Sequence, residues 1–401
     1  MLTATTIPLG DPDYWQRPYA ILAEFRDQYR TAYADTGELC ILRWEDAEWA
    51  IKGRDFVNEG MERLESRGFK PGDPLHTWRS HALGIMEGPD HIRIRKLVSG
   101  ALSKRSVEPL REMIQKHAHE LIDQLDPDTP IDGLRSYAYQ LPRRVMMEFL
   151  GLDAEELMGS EKPMENARIA DCFGPKVTSE MRYTANSAIQ TVMDHVGALY
   201  QARRENPRDD LLTSLLQAED EQGKLTHPEL ITLFSTIFGS GGTTGGAIAS
   251  ALLELATHPE QAQILREDPQ RWKQGASEET VRMRPGIVEM PQRAAHDFEA
   301  FGLDFKEGDT ISIPFGAANR DPSRWDNPQN FNITRDPSVW SLSFGIGAHF
   351  CIGQAIARCT LEESMAAIVT RFSDIALAEP ALWYPFVMDN RMQGLKLKLL
   401  K

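Results

Sequence analysis

The sequence predicts a mainly α-helical protein with small antiparallel β-sheets, and two observations support this fold class. Apolar residues recur at three- and four-residue intervals over most of the 401-residue chain, which is the periodicity of helices with one buried face. The apolar–polar alternation that is typical of strands is limited to three short runs, at 38–44, 309–315 and 395–400. Many helices with few short strands favour this architecture over a large parallel sheet.

The helical periodicity divides the chain into segments that we expect to form helices. In order, they cover residues 14–29, 90–125, 134–151, 181–204, 227–257, 271–284 and 354–372. The stretch 204–210, RENPRDD, joins two of them and is too short to separate domains. No internal repeat and no Gly/Ser-rich linker occurs in the sequence. We therefore expect one domain over residues 1–401.

The composition argues against several classes of function. Aspartate and glutamate number 59 against 44 lysines and arginines, so the net charge is −15, whereas a general nucleic-acid binder needs a basic excess. The four cysteines are widely spaced and form no CxxC pair, which argues against a zinc cluster and a disulfide scaffold. The N-terminus lacks the pattern of a secretory signal, and no run of about 18 apolar residues occurs. We expect a cytoplasmic protein without nucleic-acid or membrane partners.

The segment 227–257 is the most prominent helical pattern. Thr226 and Glu229 form an S/T-x-x-E capping box at its start, with Pro228 in the first turn. Its middle, 239–246, contains five glycines, each of which lowers helix stability by roughly 1 kcal/mol relative to alanine. Two interpretations remain open. The glycines form a loop between two helices, or they let a bulky flat group lie against one face of a long helix.

The segment 344–353, FGIGAHFCIG, carries the most specific chemical signal. Gly345, Gly347 and Gly353 surround Cys351 and permit positive φ angles and close backbone approach. A helix is predicted to begin just after the cysteine. A thiolate at a helix N-terminus is stabilised by free N–H groups and by the helix dipole, and the thiolate is the metal-binding form of cysteine. The pattern therefore predicts a metal-ligating cysteine.

This segment resembles the F-x-x-G-x-H-x-C-x-G signature of the cytochrome P-450 superfamily, the haem-thiolate monooxygenases. Further motifs of that family follow the same order along the chain. They are H-x-x-x-R at 91–95, the glycine-rich stretch, E-x-x-R at 279–282, and meander-like segments at 318–322 and 331–335. The resemblance implies a cytochrome P-450 fold over 1–401 without a fused reductase. It also implies a haem b (iron protoporphyrin IX) between a long distal helix and a proximal helix that follows the cysteine loop.

The resemblance implies roles for individual residues in binding the cofactor. Cys351 would be the axial iron ligand, in a loop completed by Phe344, Gly345 and Gly353. The two haem propionates need cationic partners, and charge-assisted hydrogen bonds are implied from His91, Arg95, Arg293 and His349.

The E-x-x-R pair is implied to be structural. Glu279 and Arg282 are one helical turn apart, so they share a helix face. They would connect the proximal helix to the meander through Arg335. Removing either partner from a buried pair is expected to be severely destabilising.

The distal helix departs from the family pattern, in which an acid precedes a threonine. The acid position is Gly242 here, followed by Thr243 and Thr244, and the resemblance implies that these three positions are catalytic. Four explanations for the missing carboxylate remain open. Water enters the space at Gly242, another acid such as Glu289 substitutes, the substrate supplies polar groups, or the chemistry is driven by peroxide.

Family position also implies where an organic substrate would bind. The candidate contact residues are Trp78, Val288, Met290 and Phe386. Arg79 or His81 could meet a carboxylate or hydroxyl of the substrate, and the alternative is that each is a solvated loop residue. Loss of side-chain volume on the distal helix would admit a bulky substrate, and helix distortion without added room is the alternative. The glycines concerned are Gly241, Gly242, Gly245 and Gly246.

The expected activity is a monooxygenase that inserts one oxygen atom from O2 into a small or medium-sized organic substrate. Electrons would come from NAD(P)H indirectly, through a ferredoxin or flavodoxin docked on a basic proximal face. The basic residues are Arg93, Arg95, Lys96, Lys104 and Arg105. The alternatives are a peroxide-using or non-oxygenating haem-thiolate enzyme and a non-catalytic haem sensor.

Overall fold

The computed structural model describes residues 6–153, 156, 169–174, 176–220, 225–384 and 388–400, with the backbone alone at 218–220. Two compact units are present in the chain. Unit 1 comprises residues 1–58, 111–141 and 243–401, and unit 2 comprises 59–110 and 142–242. Among the described residues, no helix combines the length and the apolar composition needed to cross a membrane.

Helices dominate both units. We number them in chain order: α1 Pro18–Gln28, α2 Trp44–Lys52, α3 Glu62–Ser66, α4 Pro74–Ser80, α5 Gly88–Ser99, α6 Lys104–Val107, α7 Arg111–Asp123, α8 Gln140–Leu150, α9 Ser179–Glu205, α10 Leu211–Asp220, α11 His227–Gly239, α12 Gly241–Thr257, α13 Pro259–Glu267, α14 Pro269–Met283, α15 Phe315–Ala318 and α16 Gln354–Arg371. Short 3₁₀ helices lie at Pro12–Gln16, Glu108–Leu110, Ile169–Phe173, Leu342–Phe344 and Gly347–His349, and a π-helical turn at Leu134–Ala138.

The strands are short. They are β1 Thr31–Tyr33, β2 Leu39–Ile41, β3 Phe56–Asn58, β4 Ile131–Asp132, β5 Glu289–Ala294, β6 Phe298–Ala300, β7 Leu303–Phe305, β8 Thr310–Pro314, β9 Asp374–Leu377, β10 Leu382–Trp383, β11 Met392–Gly394 and β12 Lys396–Leu400. The predicted fold class, mainly α with small sheets, is confirmed. The five-stranded sheet, ordered β1-β2-β8-β5-β3, is mixed because β2 pairs with β8 in parallel, whereas its other pairs are antiparallel.

The glycine-rich stretch is helical, and a single residue interrupts it. Ser240 separates α11 from α12 and retains right-handed helical angles of φ −64° and ψ −18°. The capping box is present, since Thr226 N–H donates to Glu229 Oε2 at 2.8 Å and the reciprocal bond is formed. The interpretation of 239–246 as a loop is therefore wrong, although the predicted helix does consist of two pieces.

Two other predicted elements are divided by local signals. The helical pattern at 90–125 breaks after Gly100, and Ser103 then caps α6 by accepting a bond from the Ser106 N–H. The strand pattern at 38–44 ends early because the Trp44 N–H donates to Asp321 Oδ2 at 2.8 Å as α2 begins. The last of these contacts joins residues 277 positions apart, which no local pattern records.

Unit 1 contains an apolar core on one face of the five-stranded sheet. The cluster contains residues of β2, β5 and β8 together with α2, and it extends to Leu342 and Ile346 of the cysteine segment. Trp44 packs edge-on against Trp325, with ring centroids 5.0 Å apart. The sheet therefore supports the cysteine segment directly from within the same unit.

Candidate active site

Cys351 lies in a tight turn that delivers it to the start of α16. Gly345 and Gly347 have φ angles of +68° and +71°, in the left-handed region that favours glycine. The Cys351 N–H donates to Phe344 O at 2.7 Å, which closes the loop. Gly353 is the N-cap residue of α16. The half-buried cysteine is therefore at the positive end of an 18-residue helix, where a thiolate is favoured over a thiol.

The first part of the cysteine segment is held by hydrogen bonds to buried Asn319. Its side-chain oxygen accepts the Leu342 N–H at 2.9 Å, and its amide nitrogen donates to Ser343 Oγ at 2.9 Å. The Ser343 hydroxyl in turn donates to Val281 O on α14 at 2.6 Å. On the other side of the loop, the Arg358 guanidinium lies 4.2 Å from the ring centroid of Phe344. These contacts position the loop against α14 and α16.

Glu279 and Arg282 form a buried bidentate ion pair on α14. Arg282 Nε and Nη2 each donate to the Glu279 carboxylate at 2.7 Å, and the two side chains are 2% and 3% exposed. The same carboxylate accepts Arg335 Nε at 3.0 Å and the Asn332 N–H at 2.8 Å. Arg282 Nη1 donates to Asn319 O at 2.9 Å. Asn319 therefore connects the ion network to the hydrogen bonds that hold the start of the cysteine segment.

The start of α12 combines an open position with a tightly packed one. A Cβ built on Gly242 would meet no atom within 4 Å. One residue later, the Thr243 methyl group is only 2.8 Å from the position of a Cβ on Gly286. A larger residue at 286 would therefore displace Thr243, a constraint that sequence reasoning missed. Gly242 leaves room for water or substrate atoms, and Thr243 is held in place by packing.

The other helix glycines have a different explanation from the one proposed above. A Cβ on Gly245 would stand 2.4 Å from Tyr139 Cδ1, and one on Gly246 would stand 3.1 Å from Asn390 O. Gly241 faces Met146, at 3.6 Å. Gly245 and Gly246 therefore allow close packing of protein atoms and favour the alternative in which no substrate volume is gained, whereas the distance at Gly241 is an ordinary van der Waals contact. Gly242 alone of the four is open among the described residues.

Glu289 does not replace the missing acid. Its carboxylate accepts the Ser312 hydroxyl at 2.6 Å and lines a cavity of about 300 Å³ with Tyr14 and Cys40. Burial raises the pKa of Tyr14 and of Cys40, and the Glu289 charge raises both further. Successive residues of a strand face opposite sides, so Glu289 points away from the sheet face that supports the cysteine segment. These contacts argue against the alternative in which Glu289 substitutes for the missing acid.

The residues expected to bind propionates are divided between the two units. Arg293 lies on β5, opposite Thr310 and Val57, and His349 ends the 3₁₀ turn before the cysteine, both in unit 1. In unit 2, His91 is buried on α5 and Arg95 is half-buried one turn later. Each is on a regular element or a tight turn, and their binding roles stay predictions.

The predicted substrate contacts have different surroundings. Trp78 on α4 donates its indole N–H to Ser235 Oγ of α11 at 2.8 Å. Val288 lines the same cavity as Glu289. Met290 is partly buried against the apolar core, and its Cε would lie 3.7 Å from a Cβ on Gly345, so it also supports the cysteine loop; its contact with substrate stays a prediction. Phe386 is outside the described residues.

Arg93, one residue of the predicted basic cluster, is paired with acidic side chains. Arg93 Nη2 donates to Glu229 Oε1 at 2.6 Å and to Asp90 Oδ1 at 2.9 Å, so two carboxylates compensate its charge. These bonds hold the pKa of Arg93 well above its usual value. Lys96, Lys104 and Arg105 are exposed, and they keep a smaller basic surface on α5 and α6.

The arrangement within unit 1 fits a haem-thiolate centre. A cysteine is presented by a glycine turn at a helix N-terminus, and Arg293 on β5 and His349 in the turn before the cysteine belong to the same unit and can donate hydrogen bonds. The distal helix carries a threonine hydroxyl beside a position with no side chain. These residues can hold a planar cofactor by binding its metal through a thiolate and its two acid groups through hydrogen bonds, and they can deliver protons from water.

Comparisons with known proteins agree with this geometry. A family profile described as "Cytochrome P450" matches residues 56–377. The chain is 30% identical to "Polyketide biosynthesis cytochrome P450 PksS" of Bacillus subtilis (strain 168), over 97% of each chain. It is also 30% identical to "6-deoxyerythronolide B hydroxylase" of Saccharopolyspora erythraea, over 98% of this chain and 99% of that protein. The solved structure of CalO2 superposes with a TM-score of 0.90 at 25% identity, covering 99% of each chain.

Proposed function

Because the chain belongs to the cytochrome P450 family, we propose that it is a monooxygenase that inserts one oxygen atom into an organic, polyketide-type substrate. The observation that carries the proposal is the placement of Cys351 at the N-terminus of α16, in a loop closed by the bond to Phe344. The printed names of two relatives, which refer to polyketide biosynthesis and to hydroxylation of 6-deoxyerythronolide B, support this substrate class and reaction.

Cys351 would hold the cofactor through its thiolate, and Arg293, His349, His91 and Arg95 would bind its two acid groups. When bound, a haem with a cysteine thiolate ligand activates dioxygen for insertion into unreactive C–H bonds. The N–H groups at the start of α16 lower the basicity of the sulfur and favour its thiolate form. The Arg358 guanidinium lies 4.2 Å from the centroid of the Phe344 ring, a cation–π contact that fixes the start of the loop.

Proton supply is assigned to Thr243 and to water at Gly242. The Thr243 methyl group packs close to Gly286, which restricts the rotamers open to this side chain. The open position at Gly242 admits a water molecule within hydrogen-bonding range of the backbone of α12. We favour water entry over a substitute carboxylate, because Glu289 is bonded to Ser312.

Electrons are assigned to an external ferredoxin or flavodoxin that takes them from NAD(P)H through a reductase. Lys96, Lys104 and Arg105 are exposed on adjacent helices in a chain whose net charge is −15, so a local basic surface stands out against an acidic background. Electrostatic steering toward such a surface speeds association and weakens with salt. Reduction rates that do not change with ionic strength would argue against this assignment.

Spectroscopy and product analysis test the function together. Reduced protein under carbon monoxide should show the red-shifted absorption of a thiolate ligand, and Cys351→Ser should abolish it while Cys359→Ser, a buried cysteine on α16, retains it. With ferredoxin, reductase and NADPH, 6-deoxyerythronolide B as a probe should shift the Soret band and yield a mono-oxygenated product. A folded, haem-containing protein without the thiolate absorption would refute the proposal. Turnover with peroxide alone would favour the peroxide-using alternative.

A further inference from the structure

A cavity of about 300 Å³ in unit 1 lies against one face of the five-stranded sheet. Glu289 of β5, Ser312 of β8 and Cys40 of β2 line it from this face. The neighbouring residues Met290 and Ile313 point to the opposite face, where the core supports the cysteine segment. The sheet therefore separates the cavity from that core. The volume, at the lower end of the range for ligand sites, suits a small molecule.

Two buried polar side chains line the cavity without a hydrogen-bond partner. Tyr14 is 3% exposed and Cys40 is 1% exposed. Within the described residues, no group donates to or accepts from the Tyr14 hydroxyl, and the Cys40 thiol is free. Both groups keep their protons at neutral pH, because burial and the charge of Glu289 raise both pKa values. A buried hydroxyl without a partner forfeits the hydrogen bonds that it makes in water, so a ligand that bonds to Tyr14 restores them.

The charged side chains around the cavity favour a neutral ligand. Arg391 Nη2 donates to Asp389 Oδ2 at 2.7 Å, and Arg284 Nε donates to the carboxylate of buried Glu254. The other two charged residues of the lining have opposite signs and are Glu289 and the exposed Arg17. Because these charges sum to zero, an ionic ligand would gain no net attraction from them. A carboxylate does accept strong hydrogen bonds from neutral donors, so Glu289 is suited to bind an O–H group.

Aromatic rings form much of the remaining wall. They lie in the Pro12–Gln16 turn, in α1 and at β10, and they are Tyr14, Trp15, Tyr19, Trp383 and Tyr384. Tyr14 and Trp15 pack edge-on with ring centroids 5.2 Å apart. Flat, rigid walls of this kind pack well against another aromatic ring. Ligand sites combine such apolar surface with a few polar groups, which here are the Tyr14 hydroxyl and the Glu289 carboxylate.

We propose that this cavity is a second binding site, distinct from the substrate site, and that it takes a small neutral phenol. The phenol hydroxyl accepts a hydrogen bond from the Tyr14 O–H and donates one to the Glu289 carboxylate, because a hydroxyl group can do both. Its ring packs against the aromatic walls provided by Trp15 and Trp383. The inference goes beyond the proposed function, since none of these contacts involves the cofactor or Thr243.

A matched pair of probes tests this by calorimetry on the haem-containing protein. 4-Ethylphenol and 4-ethylanisole share a ring and an ethyl group, and in the anisole a methyl group replaces the hydroxyl hydrogen. A hydrogen bond donated to a carboxylate corresponds to at least about a tenfold preference for the phenol. Glu289→Gln should reduce this preference, and Tyr14→Phe should weaken binding of the phenol by about two- to tenfold. Tyr29→Phe and Glu24→Gln, which change exposed side chains on and next to α1, should leave both unchanged.

Each outcome decides the question. Equal affinities for the two probes, or no binding of the phenol because water fills the cavity, would overturn the assignment. Tighter binding of tyramine or 4-hydroxyphenylacetate, the cationic and anionic analogues, would overturn the choice of a neutral ligand. Phenol binding that is unchanged in Tyr14→Phe, or a preference that is unchanged in Glu289→Gln, would place the phenol in another pocket and overturn the site. Should Tyr14→Phe not fold, the preference in Glu289→Gln decides alone. Phenol binding that depends on these residues, in a protein without the thiolate absorption, contradicts the proposed function alone.

Discussion

Replacing Glu279 with alanine should remove the haem together with much of the stability of unit 1. The carboxylate accepts two bonds from Arg282, one from Arg335 and one from the Asn332 N–H, all between 2.7 and 3.0 Å. Arg282 is 3% exposed, so its charge would stay buried without a counter-charge. Breaking such a pair costs about 3–5 kcal/mol. That is a large part of the roughly 5–15 kcal/mol by which domains are stable.

The loss should reach the cofactor because Arg282 also donates to Asn319 O, and Asn319 holds the residues that precede the cysteine loop. The assay is the fraction of purified protein that gives the thiolate-type carbon monoxide spectrum, together with the urea concentration at which helical circular dichroism is lost. Glu279→Ala should give little haem-loaded protein. Glu267→Ala, which removes an exposed carboxylate from α13, should behave as the unaltered protein. Normal haem content in Glu279→Ala would refute the reasoning.

Three further predictions concern α12 and its C-terminal end. Gly242→Asp should fold normally, since a Cβ there meets no atom within 4 Å. It should change the ratio of product formed to NADPH consumed. An unchanged ratio and an unchanged solvent isotope effect would show that this position does not control proton delivery. Gly245→Ala should lower the thermal midpoint through overpacking against Tyr139, at a cost of about 1–3 kcal/mol, whereas Gly242→Ala should not; equal midpoints would contradict the packing argument. A bond to Glu254 raises the pKa of His258 above 6.5, so the stabilisation from this pair is present below that pH and is lost as pH rises through the raised pKa. The difference in unfolding free energy between the unaltered protein and His258→Gln should therefore be larger at about pH 6 than at about pH 9. A difference that does not change with pH would exclude the pair as its source.

The sequence was sufficient to predict the helices whose ends are set by nearby residues. The helix that begins at His227 has its capping box three residues apart, and the predicted stop at Thr257 agrees with the end of α12. The E-x-x-R spacing places Glu279 and Arg282 on one face of a helix, because that geometry depends only on the helical repeat. In each case the relevant interaction spans four residues or fewer.

The missed features depend on contacts between distant parts of the chain. The sequence near Glu289 does not reveal that Ser312, on the paired strand β8, donates a hydrogen bond to its carboxylate. Glycine patterns likewise do not distinguish a position that is open from one that is filled by Tyr139. The parallel pairing of β2 with β8 joins residues such as Leu39 and Ile311, whose partnership no alternation pattern encodes. Assigning these positions required three-dimensional packing.

The hydrogen bonds of Asn319 affect how this enzyme would lose stability and how it can be engineered. The side-chain amide and the backbone carbonyl of Asn319 join the Arg282 network to the residues that precede Cys351. Heating or chemical damage that loosens one of these groups therefore loosens the other. Attempts to improve thermal durability by redesigning the meander must preserve this amide, because an aspartate at the same place would reverse one of its donor roles.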